Sequence, residues 1–131
     1  RSRPYLFSNT LAPPIVMASL KAINIVQNQP ELREKLWKNT AHFRQGMEKL
    51  GYEIIPGKHP IVPIMLRDEL NTAKVANAMN EQGIFVVGFS YPVVPRGEAR
   101  IRVQISAAHT EEQIDKAISV FADVGRKTNV I

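Results

Sequence analysis

The sequence has no cysteine, no apolar run long enough to cross a bilayer and no glycine-rich phosphate loop. Without cysteine, the chain itself can hold no disulfide, no thiolate nucleophile and no cysteine-based zinc site. No apolar stretch approaches the roughly 18 residues that a spanning helix needs, so we expect no membrane partner. The three histidines lie far apart in sequence, without carboxylates at metal-ligand spacing, and we expect no metal site. A nucleophile elbow is also absent.

What is present is the composition of one globular domain with a modest positive charge. The chain has 131 residues, 44% of them hydrophobic, which is enough for one core and too short for two ordinary domains. Its net charge of +5 is spread along the chain beside acidic residues, whereas nucleic-acid binders usually concentrate it in one patch. We therefore expect no nucleic-acid partner. Acidic small molecules suit this charge better.

Hydrophobic periodicity and turn residues predict alternating helices and short strands. Thr110 to Gln113 has the pattern of a capping box in front of the last helix. The order of elements predicts an α/β fold of the α+β, two-layer kind, with helices packed on a small mixed or antiparallel sheet. The first predicted helix is 14–26, the second follows the break at 28–30 and runs to residue 50, the third is 69–82, and the last begins at the capping box 110–113. The predicted strands are 52–55, 61–66, 84–87 and 99–106.

Four features of these elements lead to more specific expectations. The first helix is apolar almost all round, which predicts burial against more protein than the chain supplies. Pro63 should place its strand at a sheet edge or mark an irregularity, because proline cannot donate to a ladder. The continuous apolarity of 84–87 predicts cover on both faces of that strand. In the third helix we expect Ala73, Ala76 and Met79 to face inward.

The strongest local feature is a loop rich in proline and glycine that leads into the strand 99–106. Alternation places Ile101 and its apolar neighbours on one face, with Arg100 and Arg102 on the other. A guanidinium offers a planar fork that matches a carboxylate, and a strand holds it in place, so the pair could bind the carboxylate of an amino acid. The same pattern is also that of a solvated strand face, and sequence alone does not choose.

Two further segments have alternative interpretations. Ser8, Asn9 and Thr10 precede a helix and could bind a phosphate there, or form a polar arm with a turn. His109 follows Ser106-Ala107-Ala108 just before the last helix and could carry a proton. More often such a histidine bonds to the backbone and shapes its loop.

Three motifs give the chain a resemblance to a known family. They are Tyr5-Leu6-Phe7-Ser8-Asn9-Thr10-Leu11-Ala12-Pro13-Pro14, then Tyr91 to Arg102, then Ser106-Ala107-Ala108-His109-Thr110. Together they resemble the C-terminal part of the α-oxoamine synthases, which are fold-type I pyridoxal-phosphate enzymes. In its Phe-Ser-Asn form, the first motif resembles the corresponding segment in the branch of this family that uses acetyl-CoA.

The resemblance implies a role for several residues. Ser8 and Asn9 match positions that reach the phosphate of pyridoxal 5'-phosphate in the partner subunit, which implies a homodimer with a shared active site. Arg102 matches the arginine that holds the substrate carboxylate. Arg100 matches its neighbour, for which we expect a structural or secondary role, and His109 matches a histidine without a firm task.

The same resemblance implies that the catalytic centre is incomplete here. The lysine that forms the Schiff base with the cofactor would lie upstream of Arg1, so we assign no catalytic residue in this chain and expect it to be inactive alone. Because the sequence begins at Arg1 rather than Met, we expect a fragment of a longer protein. Residues 1–28 would be an arm and connecting helix that belong with an absent large domain, and residues 29–131 the C-terminal small domain.

For the whole protein, the resemblance implies an acyltransferase that condenses glycine with acetyl-CoA to 2-amino-3-ketobutyrate and CoA, and that runs in reverse in threonine breakdown. The alternatives are another α-oxoamine synthase, of the 8-amino-7-oxononanoate, 5-aminolevulinate or serine palmitoyl type, or a non-enzymatic binding domain. We expect a cytoplasmic protein, with the mitochondrial matrix as the alternative.

Overall fold

The computed structural model describes residues 11–131, so the predicted phosphate-binding residues Ser8 and Asn9 lie outside the described part of the chain. The chain consists of two compact units. One ends at Arg33 and the other is Glu34–Ile131. The predicted domain boundary between residues 28 and 29 stays a prediction.

The first unit contains helix α1, Pro13–Asn28, which confirms the first predicted helix. It begins at Pro13, where a missing N–H costs nothing, and the Gln29 N–H closes its last turn on the Ile25 carbonyl. None of its residues is buried. That a further part of the protein covers this helix stays a prediction. Its large exposed apolar residues are Ile15, Val16, Met17, Leu20, Ile23 and Val26.

The remaining elements are three helices separated by pairs of short strands: α2 (Pro30–Lys49), β1 (Glu53–Ile54), β2 (Ile61–Arg67), α3 (Glu69–Glu81), β3 (Val87–Phe89), β4 (Ala99–Gln104) and α4 (Glu111–Lys127). The sheet has the order β1-β2-β4-β3, and every neighbouring pair is antiparallel. The predicted α/β class is confirmed, and of the two predicted kinds of sheet, mixed or antiparallel, the antiparallel one is present.

The core lies between the sheet and helices α2, α3 and α4. Ile64 of β2 pairs with Ile101 of β4, and both side chains are fully buried on the helix-covered face. The ring of Phe43 from α2 meets that of Phe121 from α4 edge to face, with centroids 6.1 Å apart. The alternation predicted for β4 is therefore confirmed, and it directs Arg100 and Arg102 to the opposite face of the sheet.

Of the two alternatives predicted from Pro63, the edge position is wrong, because β2 lies inside the sheet between β1 and β4. An irregularity is present in the same strand, where the register with β4 shifts between Met65 and Arg67. The Pro63 carbonyl accepts the Ile55 N–H at 3.3 Å. In an antiparallel pair of this kind, the residue at position 63 would return a hydrogen bond to the Ile55 carbonyl, but proline has no N–H to donate. The buried guanidinium of Arg44 bonds to that carbonyl instead, through Nη1 at 2.9 Å. Its Nη2 reaches the His59 carbonyl at 3.1 Å. A side chain of α2 thus makes proline tolerable in an interior strand.

The strand predicted at 84–87 is also corrected: β3 is Val87–Phe89, at the open edge of the sheet. Gly83, at a φ of +77°, ends α3, and the Ile84 N–H returns to the Met79 carbonyl. The following residues approach the sheet as an irregular segment. Phe85 is 86% exposed, so cover on both faces was a wrong expectation. Val86, in contrast, is only 5% exposed and belongs to the core, so the apolar segment is covered on one side.

Helix α3 presents a slightly rotated face compared with the prediction. Ala76 and Met79 are buried as expected, whereas Ala73 is exposed and Thr72 is buried in its place. The helix starts at Asp68, whose carboxylate accepts the Asn71 N–H at 2.7 Å. A Cβ on Gly88 would lie 3.1 Å from the Thr72 Cγ2, so β3 approaches α3 closely at this glycine.

Two polar side chains near β1 have shifted pKa values. Burial raises the pKa of Tyr52 to about 12, and its O–H donates to the Phe121 carbonyl at 2.9 Å. On the surface, the hydrogen bond and charge of Arg67 hold the pKa of Glu53 below its usual value. The first of these groups belongs to the core and the second to an exposed ion pair of small energetic weight.

Candidate functional site

Arg102 lies near the middle of β4, on the face of the sheet away from the helices. It pairs with Val87 of β3, and Phe89 of β3 pairs with Arg100. The Arg102 guanidinium lies over the Phe89 ring, with its Cζ 4.3 Å from the ring centroid. A ring in this position attracts the cation and restricts its rotamers, while the edges of the guanidinium stay available as donors.

A cavity of about 620 Å³ opens beside Arg102. It lies where β3 begins late: β4 continues past Arg102 without a β3 partner, and the gap is bounded by the segment before β3 and the first turns of α4. Volumes of this size are typical of sites for small molecules. Its apolar wall includes Phe43, Ile84, Phe85, Val86, Val87, Ile105, Ile114 and Ala117, and its polar lining is Arg102, Gln104, His109, Gln113 and Lys116.

The charge of this lining is entirely positive. Arg102 and Lys116 are cations, the two glutamines and His109 supply polar groups, and none of the lining residues among 11–131 is acidic. An apolar wall beside a cationic rim favours a ligand that carries an anionic group on a small organic body.

The loop between β4 and α4 reaches the cavity through His109, and hydrogen bonds hold it firmly. The His109 Nδ1 accepts the Ser106 N–H at 3.2 Å, and the His109 N–H donates to the Ser106 carbonyl, also at 3.2 Å. From α2, the amide of Asn39 donates to the carbonyls of Ser106 at 3.2 Å and His109 at 3.0 Å. Asn39 is only 5% exposed, so this support lies inside the protein.

Helix α4 begins immediately after this loop with the predicted capping box, which is confirmed. The Thr110 hydroxyl accepts the Gln113 N–H, and the Gln113 side chain accepts the Thr110 N–H. A hydrogen bond from Thr110 also holds the pKa of Glu112 below its usual value. The capping box fixes the start of α4, and with it the positions of Gln113 and Lys116, which lie one turn apart and line the cavity.

The neighbouring arginines are differently engaged. Arg100 is mostly buried, and its Nη2 lies 3.4 Å from a Glu98 carboxylate oxygen. Arg96, in the loop before β4, stacks its Cζ 4.8 Å from the centroid of the Tyr91 ring. Neither side chain lines the cavity, which separates both from Arg102.

Of the residues singled out from the sequence, the structure brings Arg102 and His109 to one cavity. For each of them the sequence left a functional and a structural interpretation open. The backbone contact favoured for His109 is present, and Arg102 lies on an exposed strand face that is also a cavity wall. Asn39, Phe89 and Lys116 were not anticipated, because their contacts join segments far apart in sequence.

Among residues 11–131, no group of three or more histidine or acidic side chains could hold a metal ion. No helix in that range is long and apolar enough to cross a membrane.

Comparison with known proteins shows the family to which the chain belongs. A model of the class I and II aminotransferases matches residues 1–121, so the chain belongs to that family.

Within this family, particular relatives are closely similar. The 2-amino-3-ketobutyrate coenzyme A ligase of Escherichia coli K12 is 50% identical over all 131 residues, and the mitochondrial 2-amino-3-ketobutyrate coenzyme A ligase of Homo sapiens is 48% identical over 126. The chain spans about a third of the length of these relatives, 33% and 30%. A solved serine palmitoyltransferase from S. paucimobilis matches with a TM-score of 0.90 and 30% identity, over 98% of this chain and 33% of its own. These matches confirm the resemblance to α-oxoamine synthases.

Proposed function

We propose that the chain is the C-terminal part of a pyridoxal-phosphate-dependent acyltransferase that condenses glycine with acetyl-CoA to 2-amino-3-ketobutyrate and CoA. The observation that carries this proposal is the position of Arg102 on strand β4, at the wall of a cavity to which the described part of the chain contributes no acidic side chain. Support for this particular reaction comes from the 50% identity to the E. coli ligase over the whole chain.

In this proposal, Arg102 binds the carboxylate of the amino acid. A guanidinium matches both oxygens of a carboxylate, and Phe89 beneath it limits the directions in which the fork can point. Holding the carboxylate fixes the orientation of the amino acid, and with it the Cα bond that reacts. The apolar wall of the cavity keeps water away from that end of the substrate.

Pyridoxal phosphate fits this site through the chemistry of its donors. The solved S. paucimobilis relative, a variant with one lysine replaced by alanine, has a PLP–myriocin aldimine bound. The cofactor supplies an electron sink for a carbanion at Cα. The cavity here offers a guanidinium, an imidazole, an ammonium group and amides, which suit the carboxylate side of an amino acid held against the cofactor. Contacts to the cofactor phosphate fall to Ser8 and Asn9, within a homodimer whose subunits share the site.

The second candidate is another α-oxoamine synthase, which the likeness to a serine palmitoyltransferase favours. Full-length protein should be assayed with glycine, alanine and serine, each against acetyl-CoA and longer acyl-CoAs. The proposal predicts the highest kcat/KM with glycine and acetyl-CoA. A preference for serine and a long acyl chain would replace it with the second candidate.

An absorption titration of the full-length protein tests the cofactor and the amino acid together. We expect a visible band from bound pyridoxal phosphate that shifts on addition of glycine and remains unchanged with acetate, which lacks the amine. A protein without this band would be a non-enzymatic binding domain. Threonine breakdown as the physiological direction, and location in the cytoplasm or, as in the named human relative, in mitochondria, belong to the same proposal.

A further inference from the structure

The imidazole of His109 is held so that one particular nitrogen carries the proton. Its Nδ1 accepts the Ser106 N–H at 3.2 Å, and an acceptor nitrogen cannot also bear a hydrogen in that direction. In the neutral ring the proton is therefore on Nε2. Among residues 11–131 no hydrogen-bond partner of Nε2 is found, so the ring has a donor to offer.

The support around this ring exceeds what a surface turn requires. Asn39 is buried and uses both amide hydrogens on this one loop, at the carbonyls of Ser106 and His109. The Ala108 N–H donates to the Ser106 hydroxyl at 3.1 Å, and the capping box of α4 begins at Thr110. Fixing a loop from both ends and from beneath reduces the entropy lost when its side chain binds a ligand.

The fixed ring lines the same cavity as Arg102. We propose that the His109 Nε2–H donates a hydrogen bond to an acceptor oxygen of the substrate in this cavity, and so acts as a binding residue beside Arg102. This inference rests on the proposed function. The acceptor oxygen belongs either to the carboxylate of the amino acid or to the carbonyl of the acyl thioester, since an oxygen of either group can accept a hydrogen bond from Nε2.

Two substitutions separate this role from a purely structural one. In His109→Asn, the side-chain oxygen takes the place of Nδ1 and can still accept the Ser106 N–H, while the Nε2 donor is lost. In His109→Gln, the amide nitrogen reaches the place of Nε2 and restores a donor, while the Nδ1 acceptor is lost. The pair therefore removes one function of the ring at a time.

Steady-state kinetics of the full-length enzyme should distinguish the two roles. We expect His109→Asn to raise the KM of one substrate by roughly tenfold, since a hydrogen bond to a charged or polarised oxygen is lost, with little change in thermal stability. We expect His109→Gln to retain that KM within about threefold, at a lower thermal midpoint. The reverse ranking, with His109→Asn like wild type and His109→Gln impaired in KM, would overturn the proposal. Which KM rises, that of glycine or that of acetyl-CoA, identifies the oxygen.

A measurement without turnover covers the case in which a variant folds poorly. In full-length wild-type protein labelled with ¹⁵N in its histidine rings, Nε2 of His109 should carry the hydrogen and shift on addition of glycine or of acetyl-CoA. Absence of a shift with both, although both bind by calorimetry, would refute the role of His109 and leave the proposed function intact. If neither substrate binds the wild-type protein, the proposed function itself fails.

Discussion

The guanidinium of Arg102 lies 4.3 Å over the ring of Phe89, on the neighbouring strand. The two residues are diagonal partners across the β3–β4 pair, because Phe89 lies opposite Arg100 and Val87 opposite Arg102. β3 is held against α3 at Gly88, where an added Cβ would crowd Thr72. The position of the cation is therefore set by the sheet and the helix behind it, and not by a flexible loop.

Replacing Phe89 with leucine should weaken substrate binding indirectly, through the position of Arg102. Leucine fills much of the same space but lacks the ring face that attracts the cation, a contribution of about 0.5–2 kcal/mol. We expect the glycine KM to rise by roughly threefold to tenfold in full-length enzyme, with kcat less affected. Phe89→Tyr, which keeps the ring, is the matched control and should behave like wild type. Equal kinetics for the leucine and tyrosine variants would show that the ring does not position Arg102.

Arg44 should contribute to stability through the two carbonyls that it bonds. Arg44→Met keeps the aliphatic stem but removes both donors, and we expect a loss of about 2 kcal/mol in the free energy of unfolding. Urea denaturation of the full-length protein measures this loss. Arg33→Met, an exposed change on the same helix, should leave it nearly unchanged. A cost for Arg44→Met as small as that of Arg33→Met would contradict the assigned role.

A double-mutant cycle tests whether Arg44 replaces the donor that Pro63 lacks. Pro63→Val supplies an N–H directed at the Ile55 carbonyl, so Arg44→Met should cost about 1 kcal/mol less in that background. Additive effects of the two substitutions would mean that Arg44 and Pro63 act independently.

Tyr52 should make the protein sensitive to alkali. Burial raises its pKa to about 12 from an ordinary value near 10, so the folded state holds the proton more tightly than the unfolded chain. The protonated Tyr52 therefore contributes to the free energy of unfolding. This contribution is fully present below pH 10 and is lost as the pH rises through 12, and it amounts to about 2–3 kcal/mol. At pH 8 the free energy of unfolding of Tyr52→Phe should be about 1 kcal/mol lower, because the hydrogen bond to the Phe121 carbonyl is lost. Above pH 10 the stability of this variant should decline less than that of the wild type. Parallel declines of the variant and wild type would exclude Tyr52 as the cause.

The parts of this structure that the sequence predicts are those decided within a few residues. The alternation of β4 and the Thr110–Gln113 capping box depend on local spacing, and both are confirmed. The position of Pro63 depends on Arg44, which lies 19 positions earlier and supplies the donor from another element. Proline chemistry alone therefore left an edge position open, and that alternative is the one the structure excludes.

The same distinction holds for the candidate site. The strand alternation places Arg102 on the polar face, and a helix start is recognisable just after His109. The contact of Asn39 with His109, however, joins positions 70 residues apart, and the cavity exists because β3 starts later than its apolar residues suggest. Such features follow from packing between elements, which periodicity does not encode.

The most direct test is the substitution of Arg102 in full-length enzyme, with glycine varied at saturating acetyl-CoA. Losing a bidentate contact to a carboxylate costs about 2–5 kcal/mol, so Arg102→Ala should lower kcat/KM for glycine by tenfold or more. Arg102→Lys should recover only part of that loss, because it keeps the charge without the fork. Arg126→Ala, an exposed change near the end of α4, is the control. If Arg102→Ala has the kinetics of Arg126→Ala, the cavity is not the substrate site.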